Sequence, residues 1–566
     1  MRPSIDRPEG ADRSRQLRRL FPAVVVIAVV AVIAAALVLS GGKKDTATKT
    51  DAAGTGKLPP GAISWSLARQ RNLKDLTWPK TCDRQRGRVA IPWYFAAECF
   101  ANTPNKGATA RGVTGSTIKV VVYQTPANDP IISYVSSAVR SDDTTDQQRR
   151  TIQTYVDMFN RYYQTYGRKV KVSFLTASGP ANDEVAARAD AAKAAGMGAF
   201  AVLGGPPLTP AFADELAARK VTCIGCIGGG TPDWYQQRAP YVFTVGANVV
   251  QGQDQVIEYL RKQVNGRKAS RAGDPQLRRR TRVFGTLAIE TSAESKTLAQ
   301  RFKREAAKAG IKLAAQIPYQ LDPARLQEQA AADIAKLKAA GVTSVVFSGD
   351  PLAPQSFTAE ATRQGYFPEW IIALPVLVDT AAFGRTYDQR QWANAFGISY
   401  STARIDPNIG ASYFLHKWFT GKPPPASATS ALLLPNPAVL FAGIQAAGPT
   451  LTAQTLRDGL FSLRPRQAIS QVEFSYGRHG IWPYNDYNGV DDTTEIWWDA
   501  KAKGPDEIRR EGTGLYRYVD GGRRYQAGAW PRRDSGAFVL KGSVTILTRP
   551  PARETPPDYP SPAGSG

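Results

Sequence analysis

The sequence predicts an α/β protein with two Rossmann-like lobes, each built on a parallel sheet. Two observations carry this prediction. From Gly112 onward, short apolar runs alternate with segments whose apolar residues recur at helical spacing, a pattern typical of parallel sheets covered by helices on both faces. After about residue 249 the same rhythm begins again. Two successive series favour two similar lobes over one large sheet.

The apolar pattern divides each series into elements. In the first series, the run 118–123 predicts a strand, and Ile152, Tyr155 and Phe159 share one face of a predicted helix over 146–163. This series continues with strands at 170–175, 200–203 and 221–224 and helices at 184–197 and 210–219. The second series contains helices at 249–264, 294–309 and 324–340 and strands at 283–289, 311–318 and 342–347.

Three regions depart from this rhythm. Residues 261–282 hold nine Lys or Arg and one acid, and because no aromatic side chains are interleaved, a solvated surface loop is favoured over a nucleic-acid patch. The region after about 465 is rich in Trp, Tyr and Gly, with strands predicted at 494–498 and 537–540. The tail 549–566 is rich in proline and is predicted to be disordered.

A run of twenty residues without charge extends from Leu20 to Leu39. At about 1.5 Å per residue, a helix of this length spans the roughly 30 Å hydrocarbon core of a bilayer. The arginine-rich residues before it predict a cytoplasmic N-terminus and an extracytoplasmic remainder. A cleaved signal peptide is the alternative, which would make the protein secreted rather than single-pass in the cell membrane.

The four cysteines form two close pairs, which suits an oxidising compartment. A disulfide is predicted between Cys82 and Cys99. Cys223 and Cys226 form the motif C-I-G-C, which is interpreted as a strand-end loop whose bridging stays open. With two histidines and no second CxxC motif, no metal site and no cofactor are predicted.

Several segments, taken in order, resemble a known family. Residues 112–120 are similar to the family's entry into its first strand, 240–243 to the strand leading toward its second lobe, and 436–447 with 448–452 to its late helix pair. These likenesses identify the chain as similar to the substrate-binding proteins of ABC transporters with the type I periplasmic-binding fold, the branched-chain amino acid or leucine-binding type. Residues 82–99 and 524–531 resemble a membrane-anchored Gram-positive subgroup.

The resemblance implies an organisation along the chain. It assigns 112–246 and about 398–462 to lobe 1, and 247–397 and about 463–548 to lobe 2, with hinge strands between them. Before the lobes come a cytoplasmic tail (1–19), a transmembrane helix or signal anchor (20–40), a flexible linker (41–62) and a collar (63–111).

The resemblance also implies a function. The protein is expected to capture a small polar ligand, such as an amino acid or amide, between its lobes for an ABC permease, as a monomer. The alternative is a ligand-sensing or partner-binding ectodomain. An enzyme is not expected, because no G-x-S-x-G, H-E-x-x-H or P-loop motif occurs, and the acidic residues Asp491, Asp492 and Glu495 are interpreted as a solvated turn. No nucleic acid is expected as a partner.

Ligands of open α/β sheets bind beyond the carboxyl ends of the strands, which predicts the site residues. Glycines there let backbone N–H groups approach a carboxylate, Ser and Thr add hydroxyl donors, and an acid can pair with an amine. The candidates are Gly204, Gly205, Pro206, Gly228 and Thr231 in lobe 1 and Glu290, Thr291, Ser292, Gly349 and Asp350 in lobe 2. For Asp350, a helix N-cap is the alternative role. The loop at 204–207 lacks the hydroxyls expected of amino acid-binding relatives.

Overall fold

The computed structural model describes residues 56–126, 129, 133, 137, 142–226, 230–290, 292–322, 324–472 and 474–564. The predicted cytoplasmic tail, the apolar run from Leu20 to Leu39, Gly228 and Thr291 lie outside these residues. Within them, residues 430–447 form the one stretch long and apolar enough to cross a membrane. Most of that stretch is buried in the protein, as expected of a core helix.

The collar begins with helix α1 (Trp65–Gln70) and a small hairpin of β1 (Cys82–Asp83) and β2 (Arg88–Val89). The structure pairs Cys82 with Cys99, whose Cα atoms are 5.7 Å apart, and so confirms the predicted disulfide. The collar packs on lobe 1, where the Thr81 hydroxyl donates to the carbonyl of Tyr162.

Lobe 1 is built on five parallel strands in the order β4-β3-β5-β6-β7. The helix after β3 begins at a capping box, in which Thr144 and Gln147 exchange side-chain and backbone hydrogen bonds. It buries the predicted apolar face, including Tyr155 and Phe159, against the sheet. The elements are β3 (Thr117–Gln124), α2 (Thr145–Tyr162), β4 (Lys169–Thr176), α3 (Glu184–Gly196), β5 (Ala201–Leu203), α4 (Ala211–Ala218), β6 (Thr222–Ile224), α5 (Pro232–Gln237) and β7 (Val242–Phe243).

Lobe 2 repeats this order, with parallel strands β9-β8-β10-β11-β12. Both lobes therefore show the doubly wound order 2-1-3-4-5. The elements are α6 (Val249–Tyr259) with a π-helical turn (Leu260–Val264), α7 (Pro275–Arg278), β8 (Phe284–Ile289), α8 (Ala293–Lys308), β9 (Leu313–Tyr319), α9 (Leu326–Ala339), β10 (Ser344–Ser348), α10 (Ala353–Arg363), β11 (Glu369–Ile372), α11 (Ala381–Gly384), α12 (Gln389–Trp392) and β12 (Ala395–Ser399).

The chain then returns to lobe 1 and crosses back once more. After β13 (Arg404–Ile405), helices α13 (Ala411–Thr420), α14 (Ser430–Leu433), α15 (Pro435–Ala447) and α16 (Ala453–Ser462) follow. They pack on α2, where the Tyr155 hydroxyl donates to the carbonyl of Ser412. The antiparallel strands β14 (Asp492–Pro505), β15 (Glu511–Tyr518) and β16 (Arg524–Gln526) complete the lobe 2 sheet, and β17 (Ile546–Leu547) pairs with β13.

Two doubly wound lobes joined by three chain crossings are the predicted type I periplasmic-binding fold. The crossings run over residues 244–248, 400–410 and 463–491. One apolar cluster fills lobe 1, and two others cover the two faces of the lobe 2 sheet.

The prediction of a disordered tail is wrong for residues 549–564. The Glu554 side chain is completely buried and accepts N–H donors from Ile469 and Ser470. Farther along, the Tyr559 hydroxyl donates to Asp83 of the collar at 2.7 Å. The proline-rich tail thus connects the third crossing to the collar.

Other predictions also fail in particular places. Residues 537–540 form a turn rather than a strand. Glu495 belongs to β14 and is buried, so the acidic cluster is no solvated turn. The basic segment 261–282 is only partly solvated, because Arg282 forms an ion pair with Glu369, and neither side chain is more than 5% exposed.

Candidate ligand cleft

The carboxyl ends of the parallel strands in each lobe lie at one sheet edge, and the crossings leave or enter there. Two of the crossings run side by side, because Thr244 and Asn488 form a parallel bridge. The N–H of Val250 in α6 reaches the carbonyl of Gly230 in lobe 1 at 3.4 Å. The two edges therefore face each other across the hinge and enclose the candidate ligand cleft.

The floor of the cleft is the segment 482–488 of the third crossing, which contacts a helix of each lobe. The Asn485 side-chain amide donates to Gln236, at the end of α5 in lobe 1, at 3.4 Å. The Gln251 amide of α6 in lobe 2 donates to the Asp486 carboxylate at 2.7 Å. A change in the angle between the lobes must therefore move this segment.

Asp486 of this floor and the following Asp491 form a buried pair of neighbouring carboxyl groups. Burial raises the pKa of Asp486 well above its usual range, and the neighbouring Asp491 charge raises it further. Asp486 also accepts the Asn488 backbone and side-chain N–H groups at 2.9 Å each. Asp491 accepts the indole N–H of Trp482 at 2.7 Å. Two carboxyls so placed resist ionising together, so sharing one proton is favoured and both pKa values are raised.

The lobe 1 wall is helix α5, which begins at Thr231. The Thr231 hydroxyl accepts the N–H of Trp234 and so caps the helix. The Arg238 guanidinium lies 4.1 Å from the ring centre of Trp234 and forms an ion pair with Asp214. Tyr235 is buried in the core of lobe 1, where burial raises the pKa of its phenol and the charges of Asp486 and Glu294 raise it further.

The lobe 2 wall is the first turn of α8, which carries Glu294. Among the described residues, the Glu294 carboxylate has no hydrogen-bond or ion-pair partner. Desolvation raises the pKa of Glu294 to about 7, an effect that Arg238 opposes and Asp214 reinforces from lobe 1. A half-buried carboxylate at the cleft without its own counter-ion is chemically available to a ligand.

Two of the predicted lobe 1 residues, Gly204 and Gly205, pack against a cysteine bridge at the end of β6. Cys223 and Cys226 are paired, with Cα atoms 5.8 Å apart, and Cys226 Sγ lies 3.1 Å from the carbonyl oxygen of Gly204. A Cβ on Gly205 would stand 3.1 Å from the ring of Phe212 and 3.4 Å from Cys226 Sγ. Glycine at this position thus allows close packing of the two loops, and Pro206 follows it at the same strand end.

The predicted lobe 2 residues are largely engaged within the protein. The Asp350 carboxylate accepts the Tyr319 hydroxyl at 2.6 Å and the N–H groups of Leu352 and Ala353 at 2.8 and 2.9 Å, so the alternative role as a cap describes its contacts. A Cβ on Gly349 would stand 1.9 Å from the Tyr319 hydroxyl oxygen.

Two further lobe 2 candidates lie between the end of β8 and the start of α8. The Ser292 hydroxyl accepts the Ser295 N–H in the capping box of α8. Glu290, whose N–H donates to the carbonyl of Tyr319, is half-buried at the end of β8. Their roles in ligand binding stay predictions.

Sequence reasoning missed Glu294, Arg238 and Asp486. Glu294 and Arg238 lie on helices, one turn or more beyond the strand ends to which the prediction was confined. A first-turn glutamate is also the ordinary complement of a helix N-terminus, so its sequence position carried no special signal. Asp486 belongs to a crossing, and its partner is defined only by tertiary structure.

A separate small pocket of about 20 Å³ lies beside the third crossing, lined in part by Gln471, Asp492 and Arg524. Arg524 and Asp492 form an ion pair with each other at 2.7 Å, and the same guanidinium donates to the carbonyls of Tyr400 and Ser401. The charged groups that line this pocket therefore connect the crossings to each other. The cleft at the strand ends is the better candidate site.

No protein-family model matches the sequence, and no curated protein matches it. Among solved structures, the chain is similar to a fatty acid ABC transporter substrate-binding protein from Thermomonospora curvata, with 15% identity, a TM-score of 0.48, and coverage of 77% of this chain and 98% of that chain. A solute-binding protein of an ABC transporter from Rhodopseudomonas palustris BisB5, in complex with 3,4-dihydroxybenzoic acid, gives 13% identity, a TM-score of 0.47, and coverage of 74% and 99%. A branched-chain amino acid transporter substrate-binding protein from Streptococcus pneumoniae, in complex with isoleucine, has 14% identity and a TM-score of 0.45. The match covers 68% of this chain and 96% of that chain. The fold assignment itself follows from the strand order and the three crossings.

Proposed function

We propose that this protein is an extracytoplasmic solute-binding protein that closes its two lobes around a small polar ligand and delivers it to an ABC importer. The observation that carries the proposal is the cleft floor, where Asn485 contacts lobe 1 and Asp486 contacts lobe 2. Hinge closure of two lobes around a ligand is the motion that such connections support. An anchor at the run from Leu20 to Leu39 would keep the binder near its permease.

The chemistry of the cleft supports capture rather than catalysis. The described wall residues provide the ion pair of Arg238 and Asp214, buried aromatic rings, and the carboxylate of Glu294. No nucleophile with a neighbouring base stands among them, and in the described part of the chain no group of three His, Cys, Asp or Glu side chains is placed to hold a metal ion. A few oriented polar groups among aromatic surface are typical of ligand pockets.

The alternative is an ectodomain of the same fold that senses a ligand or binds a partner without transport. One contact favours considering it. Arg509, on the turn between β14 and β15, donates to the carbonyls of Ser427 and Pro407 and lies 4.4 Å from the ring centre of Tyr413. This tie joins a lobe 2 hairpin to lobe 1 helices and would resist wide opening of the lobes.

A thermal-shift screen of the full chain in lipid nanodiscs tests the binding role. Amino acids, amides, polyamines, sugars and aromatic acids are each added at millimolar concentration. A ligand at about 100 times its Kd stabilises the folded state by about 2.7 kcal/mol, which is a readable shift. A selective hit supports the proposal, and a flat response from folded protein across all classes overturns it.

Uptake by cells separates transport from sensing. Labelled hit compound is offered to cells with and without the gene for this chain. Loss of uptake on deletion, restored by the wild-type gene, supports delivery to an importer. Unchanged uptake, despite binding in vitro, favours the sensing alternative.

A further inference from the structure

The cleft is locally acidic within a strongly basic protein. The chain carries a formal net charge of +24, yet the described floor and walls bring together Glu294, Asp214, Asp254, Asp486 and Asp491. Composition alone would place arginine and lysine there. These five acids outnumber the three arginines that lie among them, Arg188, Arg238 and Arg301.

The cations at this site are already neutralised by acids of the same lobe. Arg238 pairs with Asp214 in lobe 1. Arg301 pairs with Asp254 in lobe 2 at 2.7 Å. These pairs leave Glu294 as a carboxylate without a cationic partner among the described residues, although it lies within electrostatic reach of Arg238. An anionic ligand would have to displace one of these pairs and approach Glu294 as well.

Aromatic surface accompanies the carboxylates. Trp234 already holds one cation on its face, the Arg238 guanidinium at 4.1 Å. At the floor, the rings of Tyr484 and Trp482 stack at 6.1 Å with an interplanar angle of 10°. Tyr235, buried in the core of lobe 1, lies within electrostatic range of both Asp486 and Glu294. Aromatic faces combined with a carboxylate are the usual recognition elements for ammonium and guanidinium groups.

From this arrangement we infer that the ligand of the cleft is a small organic cation whose ammonium or guanidinium group pairs with Glu294 and contacts the aromatic rings of the floor and wall. The inference rests on the proposed function and deepens it. Lobe closure would bring α8 and α5 together around the cation and supply the counter-charge that Glu294 lacks.

Protonation of Glu294 follows from the same geometry. Burial holds its pKa at about 7, and the groups that face it are Arg238 and Asp214 from lobe 1 and the Tyr235 phenol. A bound cation favours the ionised carboxylate, so the cation competes with the proton. Affinity should therefore rise by roughly tenfold between pH 6 and pH 8, for a ligand whose own charge does not change in that range.

The test is isothermal titration of the full chain in nanodiscs with putrescine, agmatine and choline, and with isoleucine and 4-hydroxybenzoate as non-cationic probes. At least one cation should bind, more tightly at pH 8 than at pH 6. Glu294→Gln should weaken its binding by about tenfold or more and abolish the pH dependence. Glu305→Gln is the matched control, because Glu305 lies on the same helix but is paired with the exposed Lys308. It should leave the affinity for the cation and its pH dependence unchanged.

The outcomes separate the two claims. If isoleucine or 4-hydroxybenzoate binds selectively and Glu294→Gln has no effect, the cationic ligand is overturned while the binding function stands. If neither these probes nor the broad screen gives binding, the proposed function fails. Binding of a cation that Glu294→Gln does not weaken overturns the role given to this carboxylate.

Discussion

Glu554 and Ser470 lie 84 residues apart, and the Glu554 carboxylate accepts both the N–H and the hydroxyl of Ser470, at 2.9 and 2.8 Å. The same carboxylate accepts the N–H of Ile469 at 2.7 Å. A completely buried acid from the tail thus satisfies three donors of the third crossing. This contact makes the tail part of the hinge structure, although its composition suggested otherwise.

Replacing Glu554 by Gln should loosen the third crossing. An amide group can accept at only one end, so one of the buried donors loses its partner, at a cost of about 1–3 kcal/mol. Hydrogen exchange of residues 465–472, followed by mass spectrometry, should be faster in the variant. Arg549→Ala, an exposed change in the same tail, is the control. Equal exchange in wild type and Glu554→Gln would contradict the role of the tail.

The basic segment 261–282 should depend on a single buried acid. Glu369 is completely buried and accepts Arg282 Nε and Nη2 at 2.7 and 2.9 Å, together with the Ser344 hydroxyl at 2.6 Å. Glu369→Gln leaves a buried guanidinium without its counter-ion and should destabilise lobe 2 by about 3–5 kcal/mol. Urea unfolding followed by tryptophan fluorescence measures the loss. Arg279→Gln, an exposed change in the same segment, should leave the midpoint unchanged.

The disulfide between Cys82 and Cys99 should stabilise the collar more than the lobes. Its sequence separation is 17 residues, and closing a loop of that size contributes about 3 kcal/mol in the chain-entropy model. Cys82→Ser with Cys99→Ser should therefore make the collar sensitive to limited proteolysis while both lobes stay resistant. Cleavage at the same rate in both proteins would show that packing of the collar on lobe 1 suffices.

The repeated β–α rhythm was readable from the sequence because it is local. Apolar runs at 118–123 and 283–289 became β3 and β8 with shifts of a residue or less at each end. The burial of Glu495 could not be predicted from the sequence. It accepts the Tyr259 hydroxyl at 2.9 Å across 236 residues, and a charged residue with a distant partner looks like any surface acid in the sequence.

The site was readable only as a location. Strand ends are local features, so the loops at 204–206 and 349–350 could be found. Their packing and the cap formed by Asp350 could not be predicted, and their roles in ligand binding stay predictions. The acids at the cleft are defined by what faces them from the other lobe. The pKa of Glu294 depends on the charges of Arg238 and Asp214 in the other lobe. Asp486, on the third crossing, accepts a hydrogen bond from Gln251 of lobe 2.

The carboxyl pair of Asp486 and Asp491 should make the stability of the hinge pH-dependent. The folded-state pKa of Asp486 is raised well above that of the unfolded chain, so the folded state holds more protons than the unfolded one above about pH 4. The stabilisation that protonated Asp486 contributes to the free energy of unfolding is therefore fully present at acidic pH. It is lost as the pH rises through the raised pKa.

Asp486→Asn tests this directly, because the amide can donate to Asp491 the hydrogen bond that otherwise needs the shared proton. The variant should be less stable than wild type at pH 5, since the amide cannot accept from both Gln251 and Asn488. Its free energy of unfolding should nevertheless fall less between pH 5 and pH 9, as measured by urea unfolding at each pH. The exposed change Asp157→Asn should keep the wild-type slope. A slope in Asp486→Asn equal to that of wild type would mean that the pair does not titrate in this range.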